Sequence, residues 1–454
     1  MKAPRRRPFR LFATAATVSL TLAALFAATL AHAGNVGWTW TGAVTDTSAI
    51  ITARIDAPAR IELTAGTSPA PAVTLASVLA EPMPEPALGS LQRYPVTGLK
   101  PDTTYAYRFL DAAGKPVDSE PRSFRTFPVP GKPASFRFAV ASCAKDTNSP
   151  VFASATHQKA RFFVHTGDFH YTDIKKNNID TFRRAYDTHL SAPRLRAMLA
   201  DMPLFYQWDD HDFGPNDSNK NSPSREASLR NYDQLVPHYP LATPADPDAP
   251  IDQAFTVGRV RFILSDLRSQ RDPAARRMMS AAQDTWLRAQ LLAARDAGCP
   301  LIFWVSSVPW NGPAAPADRW QGYAEHRAEI SNFIKENKLA GRVAILSGDA
   351  HMTAIDDGKN SDFATGGGAP IPVFQAGPIA NRGSYKGGPY SHGARFQSTA
   401  EERLHYFGLV DIADDGRRIR VTWSGRAGAD GLGDQVLLPE RDAKAPIHYE
   451  FTTP

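Results

Sequence analysis

Two hydrophobic periodicities divide this chain. From residue 34 to about 128, short alternating runs such as Ala49-Ile50-Ile51-Thr52-Ala53-Arg54-Ile55 and Ala59-Arg60-Ile61-Glu62-Leu63 are separated by Pro, Gly and Asp turns. A period of two with frequent turns predicts an all-β sandwich. Within it, Leu99-Lys100-Pro101-Asp102-Thr103-Thr104-Tyr105-Ala106-Tyr107 has the form of a tyrosine corner, as in fibronectin type III and immunoglobulin-like domains. The segment Pro128-Val129-Pro130-Gly131-Lys132-Pro133 has too few backbone donors for a strand or helix and reads as a stiff linker. From about residue 134 apolar strands alternate with helical stretches. Helices are predicted over 179–201, with Phe182, Tyr186 and Leu190 on one face; over 279–297, with Trp286, Leu287, Leu291 and Leu292; and over 323–338. That alternation predicts an α/β domain of parallel strands covered on both faces. A hairpin about Asp414-Asp415-Gly416 adds antiparallel sheet near the C-terminus. The polar stretch 212–250 and the Gly-rich stretch 357–393 read as long loops over a site.

The first 33 residues read as a targeting segment and stand outside the fold. Lys2, Arg5, Arg6, Arg7 and Arg10 precede an Ala- and Leu-rich run that ends in the small-x-small signal Ala31-His32-Ala33. Arg6-Arg7-Pro8-Phe9 suggests twin-arginine export, the alternative being an ordinary secretory signal. No stable membrane anchor is expected, because no later stretch is apolar for long enough to span a bilayer. The segment holds five of the 51 Lys and Arg and none of the 46 Asp and Glu, so a chain cleaved after Ala33 is formally neutral. The formal charge of +5 therefore gives no support for nucleic acid as a partner. Cys143 closes one apolar run and Cys299 opens another. As parallel strands of one sheet those runs would hold the thiols too far apart for a disulfide.

Six apolar runs end in residues suited to metal or phosphate. They end at Ser142-Cys143, at Gly167-Asp168-Phe169-His170-Tyr171, at Trp208-Asp209-Asp210-His211-Asp212, at Ser265-Asp266-Leu267-Arg268, at Ser306-Ser307-Val308-Pro309-Trp310 and at Gly348-Asp349-Ala350-His351. In open α/β sheets, sites form beyond the carboxyl ends of strands, so parallel strands would gather these tips along one edge. Three carboxylates among Asp209, Asp210 and Asp212 repel one another unless cations, protons or solvent relieve them. Asp349 and His351 would share a face in extended backbone. Thiolate, carboxylate, imidazole and phenolate together suit a transition metal, ferric iron above all, while a carboxylate-rich position beside it takes a harder cation.

In this order the motifs resemble those of the PhoD-like alkaline phosphatases, of the calcineurin-like metallophosphatase superfamily. The likeness takes in nearly the whole chain, including the β-sandwich and the export signal. It implies a signal peptide over 1–33, a fibronectin III/Ig-like β-sandwich domain over 34–128, and a four-layer αββα catalytic domain over 129–454. It implies Fe(3+) with one or two Ca(2+), held by Cys143, Asp168, Tyr171, Asp210, Asp349 and His351, with Asp168 bridging the metals. His211 then contacts phosphate or protonates the leaving oxygen. The histidine ligand expected before Pro309-Trp310 is replaced by Ser307, which favours hard oxygen ligation of one metal. Arg268 is a candidate phosphate clamp, its rival role being an ion pair with Asp266 or Asp272.

The expected activity is hydrolysis of small phosphate esters by an exported, monomeric enzyme in the periplasm or medium, the metals generating a hydroxide nucleophile at mild pH. A phosphodiesterase or phospholipase D-like hydrolase is the near alternative, and a non-enzymatic binding module the remote one. Plainer roles compete at single residues. Cys143 also fits a core thiol, Tyr171 a packing aromatic, and Asp349 with His351 a turn and an exposed histidine. Asp209 and Asp212 read as supports for their neighbours, Asn216 as a loop residue or extra ligand, and Trp208, Trp304 and Trp310 as walls.

Overall fold

Along each central strand, successive side chains enter two different cores. In the strand Val260–Ser265, Phe262 and Leu264 join one hydrophobic cluster while Ile263 joins another. The strands Leu301–Ser306 and Val343–Ser347 split the same way, with Phe303, Val305, Ala344 and Leu346 on one side and Ile302, Trp304, Val343 and Ile345 on the other. Strand pleating sends alternate side chains to opposite faces, so a continuous apolar run means burial on both faces.

The computed structural model describes residues 35–66, 73–85, 88–242, 248–396, 405–428 and 446–454. The targeting segment expected over 1–33 lies outside the described residues. Parallel strands Val260–Ser265, Leu301–Ser306, Val343–Ser347 and Val373–Gln375 lie side by side in a seven-stranded sheet. A six-stranded sheet begins with Leu204–Tyr206, Phe163–His165 and Phe136–Ala141, also parallel. It continues antiparallel through His405–Asp414, Ile419–Gly428 and His448–Thr452, the first two forming the predicted hairpin. The two sheets share one core, where the Phe138 ring lies 5.3 Å from Phe262 and 5.4 Å from Phe303. Helices Val151–His157, Ile179–Leu190, Pro193–Asp201 and Arg225–Leu235 pack with the far face of the six-stranded sheet. Helices Ala281–Asp296 and Ala324–Glu336 pack with that of the other.

The six tips come from two facing sheets, three from each, and not from one sheet edge. The predicted helix 179–201 is two helices, because Pro193 cannot continue a helix and instead starts the second as its first residue. The stretch 212–250 contains the helix Arg225–Leu235, and 357–393 contains the strand Val373–Gln375. Cys143 follows a strand of the six-stranded sheet and Cys299 precedes one of the seven-stranded sheet, and both are free, buried thiols.

Residues 35–128 form two four-stranded antiparallel sheets. Tyr94 of the strand Ser90–Thr97 and Phe109 of the strand Thr104–Leu110 meet between them with ring centroids 5.5 Å apart. The Lys100 N–H donates to the Tyr105 hydroxyl at 2.9 Å, the bond a tyrosine corner requires. These sheets are not held off by the proline-rich stretch. Phe127 stacks among Phe162, Phe205 and Phe255, and the Gly131 N–H donates to Gly258 O. Trp40 packs 5.6 Å from Phe169, directly behind one of the site loops, and donates its indole N–H to Leu204 O.

Candidate metal centre and active site

Four of the six predicted ligands have left-handed backbone: Cys143 at φ 65°, Asp168 at 60°, Asp349 at 60° and His351 at 54°. Each such residue costs about 1–3 kcal/mol and persists only where its surroundings over-determine it. Here the surroundings are backbone: Cys143 N–H donates to Gly167 O, and Ala144 N–H to Asp168 O. Gly167, at φ 109°, has no room for a side chain, since a Cβ would lie 2.6 Å from Asp209 Cβ. The loops after Phe163–His165 and Leu204–Tyr206 therefore touch, bringing Asp168 against the acidic cluster.

Asp168 is the hub. It is buried, and one carboxylate oxygen, Oδ2, accepts from the Tyr171 hydroxyl at 2.8 Å and lies 3.6 Å from Cys143 Sγ. Tyr171 in turn lies 3.0 Å from His351 Nε2. The other oxygen, Oδ1, has no hydrogen-bond partner. Potential ligand atoms converge on Asp168 in three sets, within 4.8 Å in each: with Cys143 and His351, with Asp210 and His211, and with Asp209 and Asp349. All six predicted ligands thus come together. Asp349 and His351 do not share a face, however. Their left-handed backbone is not extended, and it sends His351 to the thiol and phenol side and Asp349 to the carboxylate side.

Burial, mutual repulsion and Arg268 shift the groups of this cluster in opposite directions. Burial, then the charges of Asp210, Asp209, Asp212 and Asp349, pushes the Asp168 carboxyl well above its ordinary range. Burial, then Asp168, does the same to the Cys143 thiol and the Tyr171 phenol. Burial followed by Lys386 pushes His351 down to about 4. Burial also works to raise Asp210, but Arg268, His211 and the Asp217 N–H outweigh it and hold Asp210 below its usual value. A cation placed here would favour the deprotonated thiol, phenol and carboxylate together. With the bare Asp168 oxygen, this donor set fits a metal.

The acidic cluster separates into roles. Asp212 accepts from the Phe169 N–H at 2.8 Å, the Tyr206 hydroxyl at 2.6 Å and the Asp209 N–H at 2.6 Å, so it ties three segments together, a support as expected. Asp209 is engaged by Arg268, whose Nε and Nη2 donate at 2.5 and 2.9 Å, and by the Ser307 hydroxyl at 2.7 Å. Arg268 is fully buried, and it also binds Asp318 and lies 3.6 Å from Asp210. Its ion-pair partners are therefore Asp209, Asp210 and Asp318, not Asp266 or Asp272. Asp266 instead accepts from Arg268's backbone N–H and from Trp208. Arg268→Ala is expected to destabilise the fold by about 3–5 kcal/mol, because it strands buried carboxylates. Urea unfolding reads this, and adding Asp209→Asn should restore part of the loss.

Residues 138–423 match the sequence model of the family described as PhoD-like phosphatase. That match covers well over half of the chain. The chain belongs to the PhoD-like phosphatase family. Alkaline phosphatase D of Bacillus subtilis (strain 168) is 26% identical over 328 residues, which cover 60% of this chain and 55% of that protein. The chain thus spans about half the length of that curated relative. The solved structure of PhoD matches with a TM-score of 0.64 at 17% identity, over 87% of this chain and 88% of that one. A purple acid phosphatase from yellow lupin (Lupinus luteus) seeds matches at 0.55 and 12% identity, over 87% and 72%. At these identities the likeness to the two structures is one of fold: a mixed α/β architecture with several sheets.

Other features of this PhoD-like site were not legible in its motifs. Asp173 Oδ1 lies 2.6 Å from His211 Nδ1, and the His211 ring sits 4.3 Å from that of Tyr171. Lys386 binds Asp349 through both its carboxylate and, at 3.0 Å, its main-chain oxygen. Asp217 and Asp318 approach Asp210 to form a further acidic group, while Asn216 is exposed. Trp208, Trp304 and Trp310 are fully buried walls. Away from the PhoD-like site, Asp284, His326 and Glu329 also cluster. There the Met278 N–H donates to His326 Nδ1, which leaves the proton on Nε2 and no lone pair facing the carboxylates. That group is an ion-pair network with Arg277 and Arg288.

Proposed function

We propose that this chain is an exported, metal-dependent phosphatase that hydrolyses small phosphate esters, in the manner the name alkaline phosphatase D describes. The observation that carries the reading is Asp168, a buried carboxylate with one bare oxygen on which a thiol, a phenol, two imidazoles and three further carboxylates converge. Cys143, Asp168, Tyr171 and His351 would hold iron, and Asp168, Asp210 and Asp349 one or two calcium ions. Metal ions in such a cluster supply positive charge to phosphoryl oxygens and make water a stronger nucleophile at mild pH.

The chain's own groups do the rest. His211 reaches Asp173 through Nδ1, a bond to carboxylate that requires a proton on that nitrogen. The dyad fixes the ring's orientation, and an Nε2–H on that ring would serve a leaving oxygen. Arg268 does not reach solvent, so its part in the reaction is to hold Asp209 and Asp210 in place.

Residues 1–33 act as the export signal and leave a monomer in the periplasm or medium, and 34–128 form a fibronectin III/Ig-like accessory domain before the catalytic domain at 129–454. Among the described residues no helix is long and apolar enough to cross a membrane. The test is elemental analysis and an absorption spectrum of the purified protein, with rates on p-nitrophenyl phosphate and bis-p-nitrophenyl phosphate. Iron, a broad visible phenolate band and monoester turnover are expected. Hydrolysis of neither ester by metal-replete protein would sink the reading.

A further inference from the structure

Arg268 and Lys386 both sit on the acidic cluster, and they differ in what they have left to offer. Arg268 is sealed, its guanidinium committed to Asp209 and Asp318. Lys386 lies on the Asp349 side, and its side chain is 31% exposed. The segment that carries it is bound to the site by its backbone. Ser384 N–H donates to His351 O at 3.0 Å, and the Ser384 hydroxyl to Ala350 O at 3.0 Å. Immediately after Lys386, Gly387 and Gly388 take φ values of 76° and 85°, a turn that side chains resist. A Cβ on Gly387 would lie 2.8 Å from the Tyr390 hydroxyl and 2.9 Å from Asn311 O, so the turn is packed as well as tight. Tyr390 also donates its hydroxyl to Lys386 O at 3.1 Å.

An ammonium has three donors. Asp349 takes two of them, through its carboxylate and its main-chain oxygen, and no described residue takes the third. The main-chain bond is independent of whatever else the Asp349 carboxylate binds. Lys386 is therefore a partly exposed charge held against the cluster with one N–H to spare.

We propose that Lys386 is a substrate-binding residue that donates to a non-bridging phosphoryl oxygen and selects the dianionic phosphate of a monoester over the monoanion of a diester. The physical ground is charge. A compact ammonium beside a cluster of carboxylates offsets their repulsion of an arriving phosphate, and this matters more for two negative charges than for one. The proposal rests on the phosphatase reading and adds to it the class of ester.

The test uses the full-length, metal-replete protein with Lys386→Gln and Lys386→Arg. Binding of inorganic phosphate is followed by calorimetry, metal content by elemental analysis, and kcat/KM on p-nitrophenyl phosphate and bis-p-nitrophenyl phosphate. A hydrogen bond to a charged group predicts a loss of roughly 10- to 100-fold in phosphate affinity and in monoester kcat/KM for Lys386→Gln. Diester turnover should change by less than about threefold, metal content should stay the same, and Lys386→Arg should recover much of the binding. Equal losses on both esters, or unchanged phosphate affinity, would overturn the proposal. Metal lost along with activity would make Lys386 a support for Asp349, which overturns it too. A wild-type protein that hydrolyses neither ester but binds phosphate through Lys386 would refute the phosphatase reading alone. One that binds no phosphate refutes the proposal.

Discussion

Asp168→Asn should remove metal and activity together while leaving the metal-free fold at least as stable as before. Three sets of candidate ligands share this residue, so no other single change weakens all of them. Several kcal/mol of transition-state stabilisation by metal, at about 1.36 kcal/mol per tenfold, corresponds to a rate loss of about a thousandfold or more. The stability half follows from electrostatics. Without metal, Asp168 is buried beside Asp209, Asp210, Asp212 and Asp349 with one oxygen unpartnered, and its neighbours disfavour its charge. A neutral amide of the same shape relieves that repulsion. The two halves are read together by thermal unfolding with and without added metal. Wild-type protein should gain stability from metal, by an amount that grows with its concentration, and the variant should not. A variant that keeps stoichiometric metal, or keeps its rate, would remove Asp168 from the centre.

His211→Ala should show the opposite separation, with metal retained and kcat reduced by ~10²- to 10⁴-fold, the usual range for a lost general acid or base. The ring stands beside the ligand set, 4.3 Å from Tyr171, and its Nδ1 is committed to Asp173. Asp173→Asn should give a smaller loss, because an amide still positions the ring but no longer sets a carboxylate beside it. Substrates with good leaving groups need little protonation of the departing oxygen. The His211→Ala defect should therefore shrink on p-nitrophenyl phosphate relative to an alkyl phosphate. An equal defect on both would argue that His211 orients phosphate and does not transfer a proton. Unchanged turnover would remove its role altogether.

What could be read from the sequence was local. The six tips, the Gly turns before Asp168 and Asp349, and the mixed thiol, phenol, imidazole and carboxylate chemistry all lie within a few residues of an apolar run. A strand's burial pattern marks where that run ends. The hairpin signal was likewise local: Gly416 turns the C-terminal hairpin at φ 87°. Pro193 already marked the break in the helix predicted over 179–201.

What the sequence could not decide was which charge answers which. Arg268 meets Asp209 across 59 residues, Lys386 meets Asp349 across 37, and Asp173 meets His211 across 38. No periodicity relates such positions, because their distance is set by how two sheets stack and how the loops at their ends cross. The same holds for Asp349 and His351. They are two apart in sequence and would share a face on a strand, but left-handed backbone at both sends them to different sides of Asp168. Residue types near strand ends thus determined that a metal centre was to be expected and which groups it would draw on. Only the tertiary structure decided that Asp209 is paired with a sealed arginine, that His211 leans on Asp173, and that a partly exposed lysine sits against Asp349. Pairing of charges in a buried site is a property of three-dimensional proximity and shielding from water, and neither is encoded in spacing along the chain.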